Sequence, residues 1–167
     1  MAPRAAARLE AMGFRNPYEY KAGKLDWMAA GLPTEGENAK HPRAGDVARK
    51  DVAVCHLEDR LSDVRDAARA TGLEVAVVVD TERVVLGLLR AKELRKEPDL
   101  TAQKAMRPGP STFRPYVAIK EMADYMVEHS LESSPITTSD GKLVGVLLKE
   151  VAVKEAEGCP DCVRKMI

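Results

Sequence analysis

The chain has 167 residues, a formal net charge of zero from 26 basic and 26 acidic residues, and only 4% aromatic residues. This length suits one compact domain or two small units that share a core. The balanced charge disfavours a nucleic-acid-binding surface and an acidic disordered chain. The longest apolar runs are too short to cross a bilayer, the first residues lack the apolar core of a signal peptide, and three cysteines do not make a secreted disulfide scaffold. We therefore expect a soluble cytoplasmic protein.

Residues 1–43 contain four of the seven aromatic residues and end in a linker rich in Gly and Pro. Residues 8–18 (RLEAMGFRNPY) and 23–33 (GKLDWMAAGLP) resemble the closing end of a rhodanese (sulfurtransferase) domain, in which a helix bearing a Trp ends in Gly-Leu-Pro. The catalytic cysteine loop of that family lies upstream of such a segment, whereas all three cysteines here lie downstream. The resemblance implies a remnant without sulfur-transfer chemistry; the alternative is an unrelated capping helix. Either helix is expected to bury Trp27 against the rest of the chain or a second chain.

The rest of the chain contains two segments that repeat without a gap at the interval from Gly87 to Gly145, which is 58 residues. Each begins with an amphipathic helix, whose apolar positions run from Leu61 to Ala68 in the first copy and from Ile119 to Met126 in the second. Two strands follow, at residues 75–79 and 84–89 and at residues 134–138 and 143–148, and the Asp-Gly turn of the second copy is typical of a hairpin. Short polar helices are predicted over residues 91–97 and 149–157.

With an extended lead-in, each copy is predicted to form strand–helix–strand–strand–helix. A unit of roughly 58 residues buries too little apolar surface to be stable alone. We therefore expect the sheets of the two copies to pack face to face about a pseudo-twofold axis.

The second hairpin, residues 134–146 (SPITTSDGKLVGV), and its lead-in, residues 105–112 (AMRPGPST), resemble the CBS (cystathionine-β-synthase-type) domain, which occurs in pairs as a regulatory nucleotide-binding Bateman module. The resemblance implies an α/β fold of two βαββα CBS repeats with pseudo-twofold symmetry, preceded by the short helical rhodanese-like remnant. The expected division is residues 1–43 for the remnant and linker, 44–104 for repeat 1, 105–157 for repeat 2 and 158–167 for a tail.

In this family a Gly-x-x-Thr/Ser-x-x-Asp signature holds adenosine ligands: the acid binds the ribose hydroxyls and the hydroxyl meets a phosphate oxygen. After Gly87 the matching positions hold Arg90 and Glu93, and after Gly145 they hold Leu148 and Val151. Because leucine and valine side chains can bind neither the ribose hydroxyls nor a phosphate oxygen, the second signature is expected to be inactive. Glu93 keeps a carboxylate, and Arg90 offers a bidentate contact to phosphate.

Each cleft of the family is completed by the other repeat, so the opposite cleft, with Leu148 and Val151, is expected to be lined by Val54, Leu73 and Glu74. The preferred ligand is AMP, ADP, ATP or S-adenosylmethionine. The alternative is a solvated charged helix that carries an Arg90–Glu93 ion pair and binds nothing. The residues predicted to bind the ligand are Glu93, Arg90, Thr112, Val117, Leu131 and Glu132.

The sequence leaves three functions open. The first is a non-catalytic regulatory module that senses a ligand weakly in one cleft, and the second is a structural dimerisation module without a nucleotide. The third, part of a rhodanese-type enzyme, is disfavoured by the missing cysteine loop. Family analogy implies a homodimer through the CBS helices. No metal is expected, because Cys159 and Cys162 supply only half of a zinc site and lie in a short tail; no nucleic-acid or membrane partner is expected either.

Overall fold

A computed structural model of the chain describes residues 2–21, 23–30, 32–36 and 41–158. Cys159 and Cys162 of the predicted tail lie outside these residues. In chain order the elements are α1 (Ala2–Ala11), α2 (Gly23–Ala29), α3 (Ala44–Val47), β1 (Ala53–Cys55), α4 (Leu61–Ala70), β2 (Val75–Val79), β3 (Val85–Arg90), α5 (Ala91–Leu94), α6 (Ala102–Ala105), β4 (Arg107–Pro108), α7 (Ile119–Glu128), β5 (Ser133–Thr137), β6 (Leu143–Leu148) and α8 (Lys149–Glu157).

The repeat predicted from the sequence is present in the structure residue for residue. The interval of 58 residues that separates Gly87 from Gly145 also relates α3 to α6, α4 to α7, β2 to β5 and β3 to β6, each with equal length. The predicted α/β class and the pair of repeats are confirmed. The helix predicted over residues 91–97 is shorter, because α5 ends at Leu94 and the chain then turns towards Pro98, which disfavours helix in the residue before it.

The two sheets differ in size although their repeats are equivalent. The first has the order β1-β2-β3-β4, with β1 parallel to β2 and the other pairs antiparallel. The second contains the antiparallel pair β5-β6. In the second sheet, isolated bridges take the places that the outer strands β1 and β4 have in the first sheet. Phe113 pairs with Ile136 in parallel, and Arg49 pairs with Val146 in antiparallel orientation.

The repeats exchange their lead-in segments. As the equivalent of α3, α6 leads into the second repeat, yet its Ala102 and Ala105 belong to the buried core of the first repeat, and β4 extends the first sheet beyond β3. In return, Ala44 and Ala48 belong to the core of the second repeat, where Arg49 exchanges backbone hydrogen bonds of 2.9 Å with Val146. Each core is therefore completed by a segment of the other repeat.

A pseudo-twofold axis passes between the two hairpin turns. Val84 pairs with Lys142, its own equivalent in the other repeat. Reciprocal bonds flank this bridge, from the Val85 N–H to the Gly141 carbonyl at 3.1 Å and from the Leu143 N–H to the Arg83 carbonyl at 2.9 Å. Beneath them, a third buried cluster joins both sheets. The predicted face-to-face packing of the sheets is thus present.

Two buried hydroxyls of β5 give a stability prediction. Ser134 occupies the position that Ala76 has in the first repeat, and its buried Oγ has no hydrogen-bond partner among the described residues. Because an unsatisfied buried hydroxyl costs roughly 1–3 kcal/mol, Ser134→Ala is expected to raise the free energy of unfolding by about that amount. Thr137→Val is the control, since the Thr137 hydroxyl accepts from Arg114 and its loss should destabilise. Urea denaturation measures both, and a destabilising Ser134→Ala contradicts this prediction.

The segment before the repeats makes most of its described contacts with itself. Trp27 is half-buried, donates from Nε1 to the Pro33 carbonyl at 2.8 Å, and meets the Tyr20 ring edge-on at 5.3 Å between centroids. Arg43 donates to the Thr34 hydroxyl at 3.2 Å and forms a backbone bridge with Ala118, and so links the segment to the repeats. The described partners of Trp27 lie within its own segment rather than in the repeats, and its burial against a second chain stays a prediction.

Candidate functional site

The two repeats meet at the end of β3, where Arg90 is both the last strand residue and the N-cap of α5. The Arg90 backbone pairs with Val75, and its guanidinium reaches across to the second repeat, where Nη2 donates to the Ser133 carbonyl at 3.1 Å. Ser133 is the first residue of β5. One arginine thus connects the end of a strand in repeat 1 with the start of a strand in repeat 2.

The Arg90 guanidinium is only partly satisfied. Its Nε–H is buried and has no acceptor among the described residues, and its described side-chain partner is a neutral carbonyl rather than a carboxylate. Arg90 as a whole is half-buried, and a charged group that is partly withdrawn from water usually has a counterion or a ligand. The arrangement leaves a cation with spare N–H donors where the repeats join.

Glu93 lies three residues further, in the first turn of α5. Its Oε2 accepts the backbone N–H of Arg90 at 3.1 Å and so forms half of a capping box. The Arg90–Glu93 ion pair considered from the sequence is wrong, because within the described residues the carboxylate bonds the backbone while the guanidinium bonds Ser133. One of the two carboxylate oxygens of Glu93 is therefore bonded to the Arg90 backbone.

Leu131 and Glu132 immediately precede Ser133 and so lie next to the residue that Arg90 contacts. Leu131 is half-buried against the core of the second repeat. Glu132 is exposed; its carboxylate pairs with the Lys149 ammonium, and its carbonyl accepts the Lys149 N–H at 3.0 Å. The contact through Ser133 therefore brings this predicted pair to the same junction as Arg90.

Thr112 and Val117 have a looser relation to that junction. Thr112 is exposed and precedes Phe113, which bonds β5 through the Pro135 carbonyl at 3.1 Å. Val117 packs on the core of the second repeat, and its carbonyl accepts the Ala44 N–H at 2.9 Å. No hydrogen bond within the described part of the chain joins either residue to Arg90 or Glu93.

Sequence reasoning missed Ser133 and Lys149. Ser133 contributes a backbone carbonyl, which has no signature in the sequence, and Lys149 acts by pairing with a predicted residue. A signal was available for the first of them: Ser133 and Ser134 are two polar residues inside a fully buried strand. Polar residues at such positions commonly serve a hydrogen-bond network or a binding site.

The opposite cleft has apolar side chains at the two signature positions. Leu148, the equivalent of Arg90, packs in the cluster between the sheets together with Leu73. Val151, the equivalent of Glu93, is half-buried in α8. Glu74 is exposed, 3.4 Å from the Arg95 guanidinium, and Val54 is exposed on β1. The two clefts are thus related by backbone symmetry and differ in chemistry.

Cys55 of β1 has a free thiol, and its burial is expected to make this thiol unreactive. Burial raises the pKa of the Cys55 thiol to about 12, with a smaller contribution from the Asp59 carboxylate. The thiolate is the nucleophile, so iodoacetamide at pH 8 is expected to leave Cys55 unmodified in a C159S/C162S variant until the protein unfolds. Rapid native alkylation, measured by mass spectrometry, contradicts this.

The raised pKa of the Cys55 thiol also makes the free energy of unfolding depend on pH. Unfolded, a cysteine loses its proton near pH 8.5, whereas native Cys55 keeps it to about pH 12. Between these values the native state binds more protons, so stability is expected to fall as the pH rises through this window. Urea denaturation of the same variant at pH 8 and pH 10 tests the direction, with Cys55→Ala as a control that lacks this ionisation.

Two tandem βαββα repeats, which exchange their lead-ins and are joined by the bond between Arg90 and Ser133, define the class of module. A family model of the CBS domain matches residues 44–100 and 102–155. The chain therefore belongs to the CBS-domain family and contains a pair of these domains. The match does not extend to residues 1–43, whose resemblance to a rhodanese segment stays a prediction. A search of curated proteins found no relative.

Solved structures of CBS pairs share this fold. The CBS domains of a transcriptional regulator from Streptococcus pneumoniae align with a TM-score of 0.61 at 19% identity, over 67% of this chain and 97% of that one. CBSX2 in complex with AMP gives 0.62 at 18% identity, over 70% and 97% of the two chains; CBSX2 is a protein of Arabidopsis thaliana. The CBS pair of protein MJ0100, in complex with 5′-methylthioadenosine and S-adenosyl-L-methionine, gives 0.63 at 14% identity, over 71% and 98%.

Within the described residues, no group of three or more His, Cys, Asp or Glu side chains is placed to hold a metal ion. No helix in the same part of the chain has the length and apolar character needed to cross a bilayer.

Proposed function

We propose that this CBS pair is a non-catalytic regulatory module that binds an adenosine nucleotide in the cleft at Arg90. The observation that carries the proposal is the partly satisfied Arg90 guanidinium at the junction of the repeats, bonded only to the Ser133 carbonyl among its described partners. A phosphate oxygen supplies the charged acceptor that this group lacks. The complexes of CBSX2 with AMP and of MJ0100 with S-adenosylmethionine support the ligand class.

The chemistry of Arg90 also ranks the candidate ligands. A guanidinium favours ligands that carry phosphate, because two parallel N–H···O bonds add charge and geometry together. S-adenosylmethionine has a sulfonium cation where the nucleotides have phosphate, so the Arg90 guanidinium favours it less than it favours the nucleotides. We therefore expect AMP, ADP and ATP to bind more tightly than S-adenosylmethionine. These nucleotides are cytoplasmic metabolites, and we propose a cytoplasmic location for the module.

Thermal unfolding in the presence of each ligand tests this proposal. A ligand in large excess that binds only the native state raises the melting temperature by mass action. We expect a rise with the three nucleotides and a smaller one with S-adenosylmethionine. Glu93→Ala is expected to abolish the ligand-induced rise, because the backbone of Arg90 loses its cap and the ribose loses a carboxylate, whereas Val151→Ala at the equivalent position keeps it. Absence of a rise with all four ligands contradicts nucleotide binding.

A structural dimerisation module is the second candidate, and two observations favour it. The Glu93 carboxylate already has a structural partner in the Arg90 backbone, and apolar side chains line part of the face formed by α7 and α8, with Val127 exposed by 59%. We propose that this face contributes to a homodimer. Dimerisation without any ligand-induced rise in melting temperature supports this function alone, and both together indicate a dimeric sensor.

A further inference from the structure

An open groove lies between α7 and α8. Its apolar surface comes from Ala123 and Val127 of α7 and from Val153 and Ala156 of α8, and it encloses about 400 Å³. Val127 is exposed by 59%, which makes it the most exposed large apolar side chain of the two repeats within the described residues. A side chain of this kind on an apolar surface is normally covered by a partner.

The rim of this groove is acidic. Asp124, Glu128 and Glu157 supply three carboxylates, and the one lysine there, Lys120, is 3.4 Å from Asp124 on the next helical turn. The lysine offsets one carboxylate and leaves an excess of negative charge around the apolar surface. A complementary partner therefore presents an apolar centre surrounded by basic side chains.

The chain itself contains such a surface at the end of α1. The helix closes with Gly13 at φ +89°, and the Phe14 N–H returns to the Leu9 carbonyl at 3.1 Å, which is the Schellman pattern. This turn holds Phe14 beside the last turn of α1. Leu9, Met12 and Phe14, here called the α1 knob, are exposed by 38%, 66% and 58%.

Basic residues surround the α1 knob. Arg4 and Arg8 lie on α1, Arg15 follows Phe14, and Glu10 is the one acidic residue between residues 2 and 15. Three arginines and one glutamate near the α1 knob in the sequence thus complement three carboxylates and one lysine around the groove. The two surfaces match in apolar character and are opposite in charge.

We infer that the α1 knob of a second copy of this chain docks in the groove between α7 and α8. In the single chain both surfaces are exposed at the same time, with Met12 at 66% and Val127 at 59%. Reciprocal exchange between two copies covers both surfaces and closes at two, because each chain has one α1 knob and one groove. This inference rests on the proposed homodimer and names the segment that forms it.

Two exposed positions allow the test without disturbing the core. Phe14→Glu places a negative charge on the α1 knob, Val127→Glu places one in the groove, and Tyr18→Glu, at a residue exposed by 94%, is the matched control. Sedimentation velocity over a concentration series measures the dimer dissociation constant of the full chain. We expect Phe14→Glu and Val127→Glu each to raise it by at least about tenfold, and Tyr18→Glu to leave it unchanged.

The decisive sample is an equimolar mixture of the Phe14→Glu and Val127→Glu chains. One chain then has an intact groove and the other an intact α1 knob, so the mixture is expected to form dimers at concentrations where each variant alone is monomeric. A Phe14→Glu chain that dimerises like the parent overturns the docking and leaves the proposed dimer, formed through the helices alone. A mixture without dimers also overturns it. If the parent chain stays monomeric throughout, docking and dimer both fail, while nucleotide binding is judged separately by thermal unfolding.

Discussion

Gly145→Ala is expected to be strongly destabilising, lowering the free energy of unfolding by about 3 kcal/mol or more. A Cβ at this position would lie 2.6 Å from the Arg49 carbonyl oxygen. That oxygen is held by a 2.9 Å bond from the Val146 N–H, and it belongs to the lead-in exchanged between the repeats. The clash therefore separates the lead-in from β6.

Gly87→Ala is the matched comparison, because Gly87 occupies the equivalent position in the first repeat. A Cβ there would lie 2.2 Å from the Met106 sulfur, at the flexible end of a side chain. Methionine adapts to such changes more readily than a backbone does, so we expect a loss of about 1–2 kcal/mol. Combining it with Met106→Ala should cost less than the sum of the two single losses, as urea denaturation of a double-mutant cycle measures. A larger loss of unfolding free energy for Gly87→Ala than for Gly145→Ala contradicts the expectation that the methionine side chain adapts more readily than the backbone.

Arg90→Leu is expected to weaken nucleotide binding without harming the fold. Leucine already occupies the equivalent position at Leu148, where it packs between the sheets, and it removes the unsatisfied Arg90 Nε–H. Hydrogen bonds to charged groups contribute roughly 1.5–3 kcal/mol, so losing them should weaken binding by about 10-fold to 100-fold. The melting temperature without ligand should stay equal or rise.

Arg95→Leu controls for the change in net charge. Arg95 is exposed and pairs with Glu74 on the side of the opposite cleft, so its loss should leave nucleotide affinity nearly unchanged. Calorimetric titration of both variants with ADP measures the difference. If the two substitutions weaken binding equally, general charge attraction rather than a site at Arg90 explains the affinity.

The fold could be predicted because the repeat preserves the apolar pattern even where the letters change. Leu61, Val64 and Ala68 of α4 and Ile119, Met122 and Met126 of α7 are different residues at equivalent helical positions, and all are buried. The exchange of lead-ins was not predicted, because it depends on which partner a short segment contacts in space. Ala44 and Ala102 are equally suited to either core by composition, and the contacts place each in the core of the other repeat.

The site could be predicted only in part, for a related reason. Arg90 and Glu93 were found from their spacing after Gly87, but spacing does not say which atoms they bond. Glu93 serves the Arg90 backbone, and Arg90 serves the Ser133 carbonyl. Bonds to backbone atoms depend on the folded path of the chain, so neither was visible in the residue types.

The number of nucleotides bound per chain tests the central claim most directly. The two clefts share a backbone, but Arg90 and Glu93 stand in one where Leu148 and Val151 stand in the other. Isothermal titration of the full chain with ADP is therefore expected to saturate at one nucleotide per chain, and Arg90→Leu to weaken that binding by about 10-fold to 100-fold. Two equivalent sites per chain, or a single site whose affinity is unchanged by Arg90→Leu, would contradict an adenosine-nucleotide site at Arg90.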